Sequence, residues 1–397
     1  MANRNLSTAK NAKNDEFYTQ LNDIQAEVNA YIDYNPDVFR GKTVLLPCDD
    51  PEWSNFTRFF AQNFERFGLK KLISTSYAAA SKNIPAAKNA KSAKGKAASI
   101  SWYQPSLFEQ ESPQYDEEKT AVRGKIFILD HDTNANGRID FEDLEWNYLE
   151  GDGDFRSEEV RVLRDEADII VTNPPFSLFR EFLAWILAAK DAKQFLIIGN
   201  KNCITYKEVF PLIKENIIWT GCRGFAGGMW FIADYEGKTE KVVDGKKIIN
   251  VPSVWFTNLE HGRRHQPLRL MTMAENIKFS KHKEVRGKGY QKYDNYDAIE
   301  VPFTDAIPSD YDGVMGVPIS FLDKYCPEQF EVMGMCENED LYELKTRVYN
   351  RDECQQAYFA KFGKKGTYDL NASGVLTVDG IQEKVYQRIL IRARRAR

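Results

Sequence analysis

The tetrapeptide Asn173-Pro174-Pro175-Phe176 contains the residue types in this sequence that point most directly to a chemical function. Its two prolines hold the backbone extended and remove two N–H donors, which leaves nearby carbonyls without a competing donor. The Asn173 side-chain carbonyl and the Pro174 backbone carbonyl can then accept hydrogen bonds from one exocyclic amino group. Phe176 offers a ring face for a planar base or amide. Such a site would hold an –NH2 group for methylation of its nitrogen.

The elements around this tetrapeptide place it where a ligand site is expected. It follows the apolar run 168–172, whose Val and Ile residues do not alternate with polar ones and are typical of a buried parallel strand. Residues 177–190 carry apolar side chains on one helical face. Ligands of open α/β sheets bind at the carboxyl ends of strands. This context favours a functional site, although a stiff strand-to-helix turn would also contain Asn-Pro.

The order of elements predicts an α/β fold. Strands and helices alternate to about residue 220, which indicates a doubly wound, mostly parallel, Rossmann-like sheet. Further strands are expected near residues 44–48, 72–75 and 195–199. The segment 99–103 could pair with 125–129 as a hairpin within an insertion.

The length of 397 residues is typical of two domains. We assign residues 1–224 to the first domain, with an insertion at about 78–148, and residues 225–397 to the second. Beyond residue 224 the segments are shorter and separated by turns, which indicates a smaller α+β domain.

Composition excludes several classes of protein. No apolar run approaches the roughly 18–20 residues that span a bilayer, and the N-terminus lacks a signal-peptide core. The six cysteines form no CxxC pair, so we expect reduced thiols rather than a zinc site or a disulfide framework. A cytoplasmic protein without a membrane partner is therefore expected.

The net charge of −4 hides a basic stretch between residues 261 and 293. Phosphate binding depends on the local field rather than on the total charge. Tyr290, Tyr293 and Tyr296 are interleaved with the basic residues and favour nucleic acid over a solvated surface loop. Arginines are also frequent between residue 388 and the C-terminus. The candidate DNA contacts in the basic stretch are Arg263, Arg264, Lys281, Lys283, Arg286, Lys288 and Lys292.

Residues 132–143 match the twelve-residue EF-hand loop. Gly137 occupies position 6, as that loop requires. Position 12 is Asp rather than the bidentate Glu, and no clear helix precedes the loop. The pattern predicts a structural Ca²⁺ site, and an Asx-rich turn without metal is the alternative. The candidate ligands are Asp132, Asn134, Asn136, Arg138, Asp140 and Asp143.

Two further segments are candidates for cofactor binding. Cys48-Asp49-Asp50-Pro51 ends the first predicted strand, and its carboxylates suit hydroxyl or ammonium groups better than phosphates. Asp50 and Pro51 could instead only cap the following helix. In residues 151–155, Asp154 and Phe155 could accept from a purine amino group and stack on its ring. A Gly/Asp turn is the alternative for that segment.

Together these motifs resemble the EcoRI-type adenine-specific DNA methyltransferases, with the motif order of the gamma class. The resemblance covers nearly the whole chain except the segment of about 78–148, which looks like an insertion. The matching motifs are Asp15–Gln20, Cys48–Pro51 with Ser54–Phe56, Gly151–Ser157, Thr172–Phe179, Ile204–Glu208, Lys292–Ala298 and Gly313–Pro318.

The resemblance implies methyl transfer from S-adenosylmethionine to the N6 of an adenine flipped out of double-stranded DNA. Residues 1–224 would then be the catalytic domain and 225–397 the target-recognition domain. Asn173 and Pro174 would accept from the target amino group, and Phe176 would stack on the base. The residues implied at the cofactor are Tyr18, Thr19, Cys48, Asp49, Asp50, Asp154 and Phe155.

The resemblance also implies a bacterial or phage enzyme that acts as a monomer, in restriction–modification or in host or phage DNA marking. A cognate restriction endonuclease would act on the same site. Two alternatives stay open from the residues themselves. The first is an amino-methyltransferase acting on RNA adenine or a protein glutamine, and the second is a catalytically silent DNA-binding or Ca²⁺-dependent module.

Overall fold

The computed structural model describes residues 18–51, 54–78, 112–225, 227–232, 241–243 and 246–394. The chain forms two compact units. Unit 1 comprises Met1–Phe210 and Ile218–His261, and unit 2 comprises Pro211–Ile217 and Gly262–Arg397.

The described strands of unit 1 belong to two sheets. In chain order they are β1 (Tyr18–Thr19), β2 (Thr43–Pro47), β3 (Lys71–Ser76), β4 (Lys125–Leu129), β5 (Glu145–Tyr148), β6 (Ile169–Thr172), β7 (Gln194–Asn200), β8 (Trp219–Thr220), β9 (Met229–Ile232), β10 (Lys241–Val243), β11 (Lys246–Val251) and β12 (Ser253–Thr257).

The larger sheet has the strand order β5-β4-β3-β2-β6-β7-β12-β8. Its four central strands are parallel to one another, and every residue of β2 and β6 is buried. The two strands on each side pair antiparallel. The fold is therefore mixed α/β with a large sheet, and the expectation of parallel pairing holds for its centre. The strands added towards both edges therefore run antiparallel to their neighbours.

Helices connect the parallel strands. Ser54 caps one of them by accepting from the Phe56 N–H, and Gly68 ends another with a left-handed φ of 63°. The described α-helices of unit 1 are α1 (Leu21–Tyr34), α2 (Asn55–Gln62), α3 (Phe64–Phe67), α4 (Glu117–Val122), α5 (Glu158–Glu166) and α6 (Phe179–Leu187).

The smaller sheet of unit 1 has the order β1-β9-β11-β10, and all its pairs are antiparallel. The pairing of β10 with β11 agrees with a hairpin at Asp244-Gly245, although those two residues lie outside the described ranges. Through β9, this sheet brings the start of the described chain next to residues more than 200 positions later.

The predicted insertion contributes to the larger sheet. β4 pairs with β3 and with β5, and the connection between β4 and β5 contains the EF-hand-like loop. The predicted pairing partner at residues 99–103 lies outside the described residues. Residues 125–129 thus extend the main sheet.

Unit 2 is built mainly from short strands, with the sheet orders β13-β14-β18-β15 and β16-β17. A buried ion pair between Arg388 and Glu300, with an N–O distance of 2.6 Å, lies inside it. Its described strands and α-helices are β13 (Ala298–Glu300), β14 (Val314–Pro318), β15 (Phe330–Met335), β16 (Val375–Val378), β17 (Ile381–Lys384), β18 (Arg388–Ala393), α7 (Phe210–Lys214, which begins at the last residue of unit 1), α8 (Met273–Phe279) and α9 (Arg351–Phe362).

The division between the compact units does not coincide with the predicted boundary at residue 224. Strands β9 to β12, between residues 229 and 257, complete the two sheets of unit 1. The assignment of functions to the two domains stays a prediction. Within the described residues, no helix is both long and apolar enough to cross a membrane.

Candidate active site

The tetrapeptide follows strand β6 directly, as the sequence predicts. Pro175 has an extended backbone with φ −52° and ψ 124°, and a 3-10 turn over Phe176–Leu178 leads into α6. Asn173 is half-buried, and so is Phe176. The Phe176 ring meets the Phe231 ring edge-on, with centroids 5.9 Å apart and planes at 86°. The Phe176 side chain is therefore held against the smaller sheet while part of it stays accessible.

A buried carboxylate connects the end of β2 to the end of β6. Asp49 is 5% exposed, and its Oδ1 accepts from the Ser54 hydroxyl at 2.6 Å. Its Oδ2 accepts from the hydroxyl of Thr172, the residue before Asn173. The Asp49 N–H donates to the Thr75 carbonyl at 2.8 Å. Asp49 thus fixes the positions of three strand ends, a role that the sequence does not reveal.

Its neighbours in the same motif differ from it. Asp50 is half-buried and Cys48 is partly exposed with a φ of 84°. A positive φ is uncommon for a residue other than glycine, and such conformations cluster at functional sites. This conformation turns the chain sharply at the carboxyl end of β2. Of the two carboxylates, Asp50 is the more exposed, and its contact with a ligand stays a prediction.

The segment Tyr18–Thr19 pairs with the strand that contains Phe231, the ring contact of Phe176. Thr19 is paired with Phe231 in the register of β1 and β9, and its carbonyl accepts from the Asn55 side chain at 2.7 Å. Phe231 is the residue whose ring meets Phe176. The fold therefore brings together the predicted cofactor segment at residue 18 and the predicted catalytic motif at residue 173.

The Gly-Asp-Phe segment packs on the carboxyl end of β3. Gly153 has a φ of 83°, and a Cβ there would lie 2.2 Å from the Ser76 carbonyl oxygen. The Ala78 N–H donates to the Asp152 carbonyl at 2.8 Å. Only glycine permits this approach of two backbones. The segment is thus fixed close to the ends of β2 and β3.

The two predicted cofactor residues of this segment have different surroundings. Burial opposes ionisation of Asp154, but hydrogen bonds from Arg156 at 2.6 to 2.9 Å outweigh it and lower the pKa of Asp154. Phe155 is 0% exposed, with ring contacts to Phe182 at 5.0 Å and Trp185 at 5.6 Å. Stacking of Phe155 on an adenine stays a prediction, which this burial does not favour.

Tyr77 is a residue of this region that the sequence reasoning missed. Burial, followed by the proximity of the acidic groups of Cys48 and Asp154, raises the pKa of Tyr77 above its ordinary value. The Phe155 N–H donates to its hydroxyl. Tyr77 directly follows β3, and that position is the only signal that could have identified it.

In the EF-hand-like loop, acidic side chains accept hydrogen bonds from backbone N–H groups of the same loop. Asp143 Oδ1 accepts from the Thr133 and Asn134 N–H groups at 2.9 and 3.2 Å, and Asp132 Oδ2 accepts from Gly137 at 2.7 Å. The flanking elements are β4 and the short turn Phe141–Asp143 before β5, rather than two helices. Among the described residues, no group of three acidic, His or Cys side chains is arranged to hold a metal. Ca²⁺ binding stays a prediction.

The predicted DNA contacts in unit 2 fall into two groups. Arg263 pairs with Asp323 at 2.7 Å, Lys281 with Asp305 at 2.7 Å and Lys292 with Asp297 at 2.6 Å. Arg264 is buried and donates to Asn216. The exposed residues for which no ion pair is seen within the described chain are Lys283, Arg286 and Lys288.

The aromatic residues of the basic stretch are mostly structural. Tyr293 and Tyr296 are buried core residues, so the prediction that they mark a nucleic-acid surface is wrong. The C-terminal arginines within the described residues are also engaged. Arg388 pairs with Glu300, Arg392 pairs with Glu331 at 3.1 Å, and Arg394 donates to the Phe330 carbonyl.

Within unit 1, a mixed α/β sheet presents Asn-Pro-Pro-Phe at a strand end, beside carboxylates at the ends of neighbouring strands. This arrangement defines an amino-methyltransferase that uses S-adenosylmethionine. The half-buried Asp50, Asp154 and Tyr77 suit hydroxyl and ammonium groups, and no glycine-rich phosphate loop accompanies them.

Comparisons with known proteins agree with this class. Residues 5–394 match the family described as adenine-specific methyltransferase EcoRI. The Type II methyltransferase M.EcoRI of Escherichia coli is 40% identical over 348 residues, which are 86% of this chain and 92% of that protein. The Type II methyltransferase M.MpnI of Mycoplasma pneumoniae is 34% identical over 355 residues, with coverage of 87% and 91%. No solved structure matches the chain significantly.

The chain therefore belongs to the EcoRI family of adenine-specific methyltransferases. It is an enzyme that methylates adenine, its substrate is DNA and its methyl donor is S-adenosylmethionine.

Proposed function

We propose that this enzyme methylates the N6 of an adenine within a short, specific site of double-stranded DNA, after the base has left the helix. The observation that carries this proposal is the placement of Asn173-Pro174-Pro175-Phe176 at the end of β6, beside the strand ends fixed by Asp49. The amino group of a paired adenine is stacked and hydrogen bonded, so it must be flipped out at a cost of a few kcal/mol.

Asn173 and Pro174 act on the target amino group through their carbonyl oxygens. The lone pair of an aromatic amine is delocalised into the ring, which makes the nitrogen a weak nucleophile. Two carbonyl acceptors favour a tetrahedral nitrogen with a localised lone pair, and they hold it in position for transfer. The proton can leave after transfer, so the site needs no strong general base. Phe176 stacks on the base and offsets part of the flipping cost.

The residues that would hold S-adenosylmethionine are those around the ends of β2 and β3. Asp50, Asp154 and Tyr77 would bind its hydroxyl, amino and ammonium groups, and Tyr18 and Thr19 would flank the methionine part. The cofactor supplies an electrophilic methyl group on a sulfonium when bound. Asp49 has a structural role beneath these residues, because its buried carboxylate already accepts hydrogen bonds from the hydroxyls of Ser54 and Thr172.

Target recognition is proposed for unit 2, and within it Lys283, Arg286 and Lys288 are the proposed phosphate contacts. Exposed cations without acidic partners release counterions when they meet phosphates, which drives binding. The relatives M.EcoRI and M.MpnI are Type II methyltransferases, which supports a role in restriction–modification, with a cognate endonuclease for the same site. A monomer that carries both units would suffice for the reaction.

The test is incubation with labelled S-adenosylmethionine and unmethylated genomic DNA, followed by nucleoside analysis and sequencing of modified sites. N6-methyladenine confined to one short motif is the expected result. Label in RNA or in protein glutamine, and none in DNA, would overturn the proposal. Label in adenines scattered without a motif would contradict site specificity alone.

A further inference from the structure

Unit 2 contains an open cleft of about 750 Å³ that none of the roles described above uses. Its lining comes from four separate parts of unit 2, at residues 281–282, 302–305, 318–324 and 386–388. Pro302, Pro318 and Ile319 supply apolar surface, while hydroxyl and charged groups surround them. A cleft with this mixture suits a ligand that has both a planar apolar part and a charged part.

One wall of the cleft is a stacked pair of rings. His282 lies face to face on Phe303, with centroids 3.7 Å apart and planes at 6°. Asp305 holds this wall, because its two carboxylate oxygens contact His282 Nε2 and Lys281 Nζ, each at 2.7 Å. The side chains of this wall are therefore joined by mutual contacts into one continuous surface.

The lining of the cleft also includes an exposed tyrosine whose backbone neighbourhood is held by hydrogen bonds. Tyr386 is 88% exposed, more than any other large hydrophobic side chain in the described part of the chain. Its carbonyl accepts from the buried Ser373 hydroxyl at 3.0 Å. Two residues later, Arg388 is held by Glu300. At this exposure the ring packs on little of the protein, so its faces are available to stack on a planar ligand.

The charges at the cleft favour an anion. Lys324 is exposed, and no ion pair of Lys324 occurs among the described residues. Lys281 reaches the cleft from another segment and shares Asp305 with His282. The charge of Arg388 is balanced by Glu300. The net excess is thus positive, and Lys324 is its main source.

We propose that this cleft binds one nucleotide of the DNA substrate, with Tyr386 stacked on its base and Lys324 neutralising its phosphate. The inference rests on the proposed function, because it takes DNA as the ligand of unit 2. An aromatic face beside cations is how proteins hold an unstacked nucleotide without reading its sequence. Such a nucleotide is present in a single strand, and also in a duplex where an adjacent base has been flipped out.

The experiment measures equilibrium binding of the full-length enzyme and of its Tyr386→Ala, Tyr386→Trp and Lys324→Gln variants. The probes are a duplex that carries the methylated motif and the isolated strand of that duplex. Tyr34→Ala, which removes an exposed aromatic residue of unit 1, is the matched control. Tyr386→Ala is expected to weaken binding about tenfold or more, since stacking of one base has that order of effect. Tyr386→Trp should retain binding.

Lys324→Gln should weaken binding and lower the salt dependence of log K by about 0.9 on the duplex and about 0.7 on the single strand, the values for one lost phosphate contact. A loss on both probes identifies any unstacked nucleotide as the ligand, and a loss on the duplex alone identifies one exposed by base flipping. Unchanged binding by Tyr386→Ala on both probes, or an equal loss in Tyr34→Ala, would overturn the inference. Methyl transfer by the wild type tests the proposed function separately. If the wild type methylates DNA and Tyr386→Ala binds DNA normally, the proposal for the cleft fails and the proposed function stands.

Discussion

The strand-end site of unit 1 and the basic stretch of unit 2 were both prominent in the sequence, but the structure treats them differently. In unit 1, residues at positions 18, 49 and 173 come together because buried strands fix where each chain segment ends. In unit 2, several cations of the basic stretch meet carboxylates, as Lys281 meets Asp305. A motif that follows a buried strand predicts the position of its residues well, because the strand fixes where they lie. A count of basic residues predicts a binding surface less well, because acidic residues distant in sequence can neutralise those charges.

The largest expected effect tests the strand-end site directly. Asn173→Ala should lower kcat by roughly 10²–10³-fold, the usual result of removing one group that stabilises a transition state. The affinity for S-adenosylmethionine should stay near normal, because the carboxamide is proposed to meet the target base. Single-turnover methylation and calorimetric titration of the cofactor measure the two quantities. A near-normal rate would remove Asn173 from the mechanism.

The next prediction separates the roles of Asp49 and Asp50, the two neighbouring carboxylates that follow β2. Asp49→Asn should lower the free energy of unfolding by about 1–3 kcal/mol, because buried hydrogen-bonding groups lose a charged acceptor. Asp50→Asn, its matched control, should leave stability unchanged and weaken cofactor binding. Denaturant titration and cofactor titration of both variants distinguish the roles. Equal stability of Asp49→Asn and the wild type would mean that Asp49 does not tie β2 to β6.

A third prediction concerns which cations of the basic stretch meet DNA. The triple change of Lys283, Arg286 and Lys288 to Gln should reduce the slope of log K against log salt by about 2.7, or roughly 0.9 for each contact. Arg264→Gln should leave that slope unchanged, because Arg264 is buried against Asn216. Filter binding at several salt concentrations measures both. A slope change in Arg264→Gln that matches one contact would contradict this assignment.

The smallest expected effect concerns neutralisation by Asp305. Burial raises the pKa of this carboxyl, but hydrogen bonds from Lys281 and His282 outweigh it and the pKa is lowered, so the group is ionised at neutral pH. Asp305→Asn should free Lys281 and strengthen DNA binding about two- to fivefold, as expected for one exposed ion pair of up to ~1 kcal/mol. Weaker binding would instead indicate that the stacked wall of His282 and Phe303 depends on the carboxylate.

The centre of the fold could be predicted from sequence because its strands are apolar on both faces. Predicted strands at 44–48, 72–75, 169–172 and 195–199 agree with β2, β3, β6 and β7 within two residues at each end. The residues Thr205-Tyr206-Lys207-Glu208 have the spacing of a capping box and predict a helix from there to Asn216, but the predicted start of this helix is wrong. Thr205 ends a 3-10 turn and donates to the Asn202 carbonyl, so the helix begins only at Phe210. Local hydrogen bonding sets the start of this helix, and the pattern of residue types in the sequence does not reveal those hydrogen bonds.

The motifs of the candidate site could be predicted from the sequence, but which of their residues are buried structural groups and which are exposed could not. Asp49 and Asp50 are chemically identical, and only the positions of Ser54 and Thr172 show that Asp49 is buried. Phe155 is one of many phenylalanines, and its burial depends on α6, which the sequence does not place beside it. Tyr77 belonged to no motif. Such distinctions depend on contacts between residues far apart in the chain.

The pairing of β1 with β9 has a thermodynamic consequence. Tyr18 and Thr19 lie on the strand next to Phe231, and the Phe231 ring supports Phe176. If cofactor contacts order β1, they also order the support of the ring that would receive the adenine. Binding of the cofactor and binding of the flipped base are then linked, and each must raise the affinity for the other by the same factor. A two-residue strand would thereby make the enzyme hold its DNA most tightly when a methyl group is available.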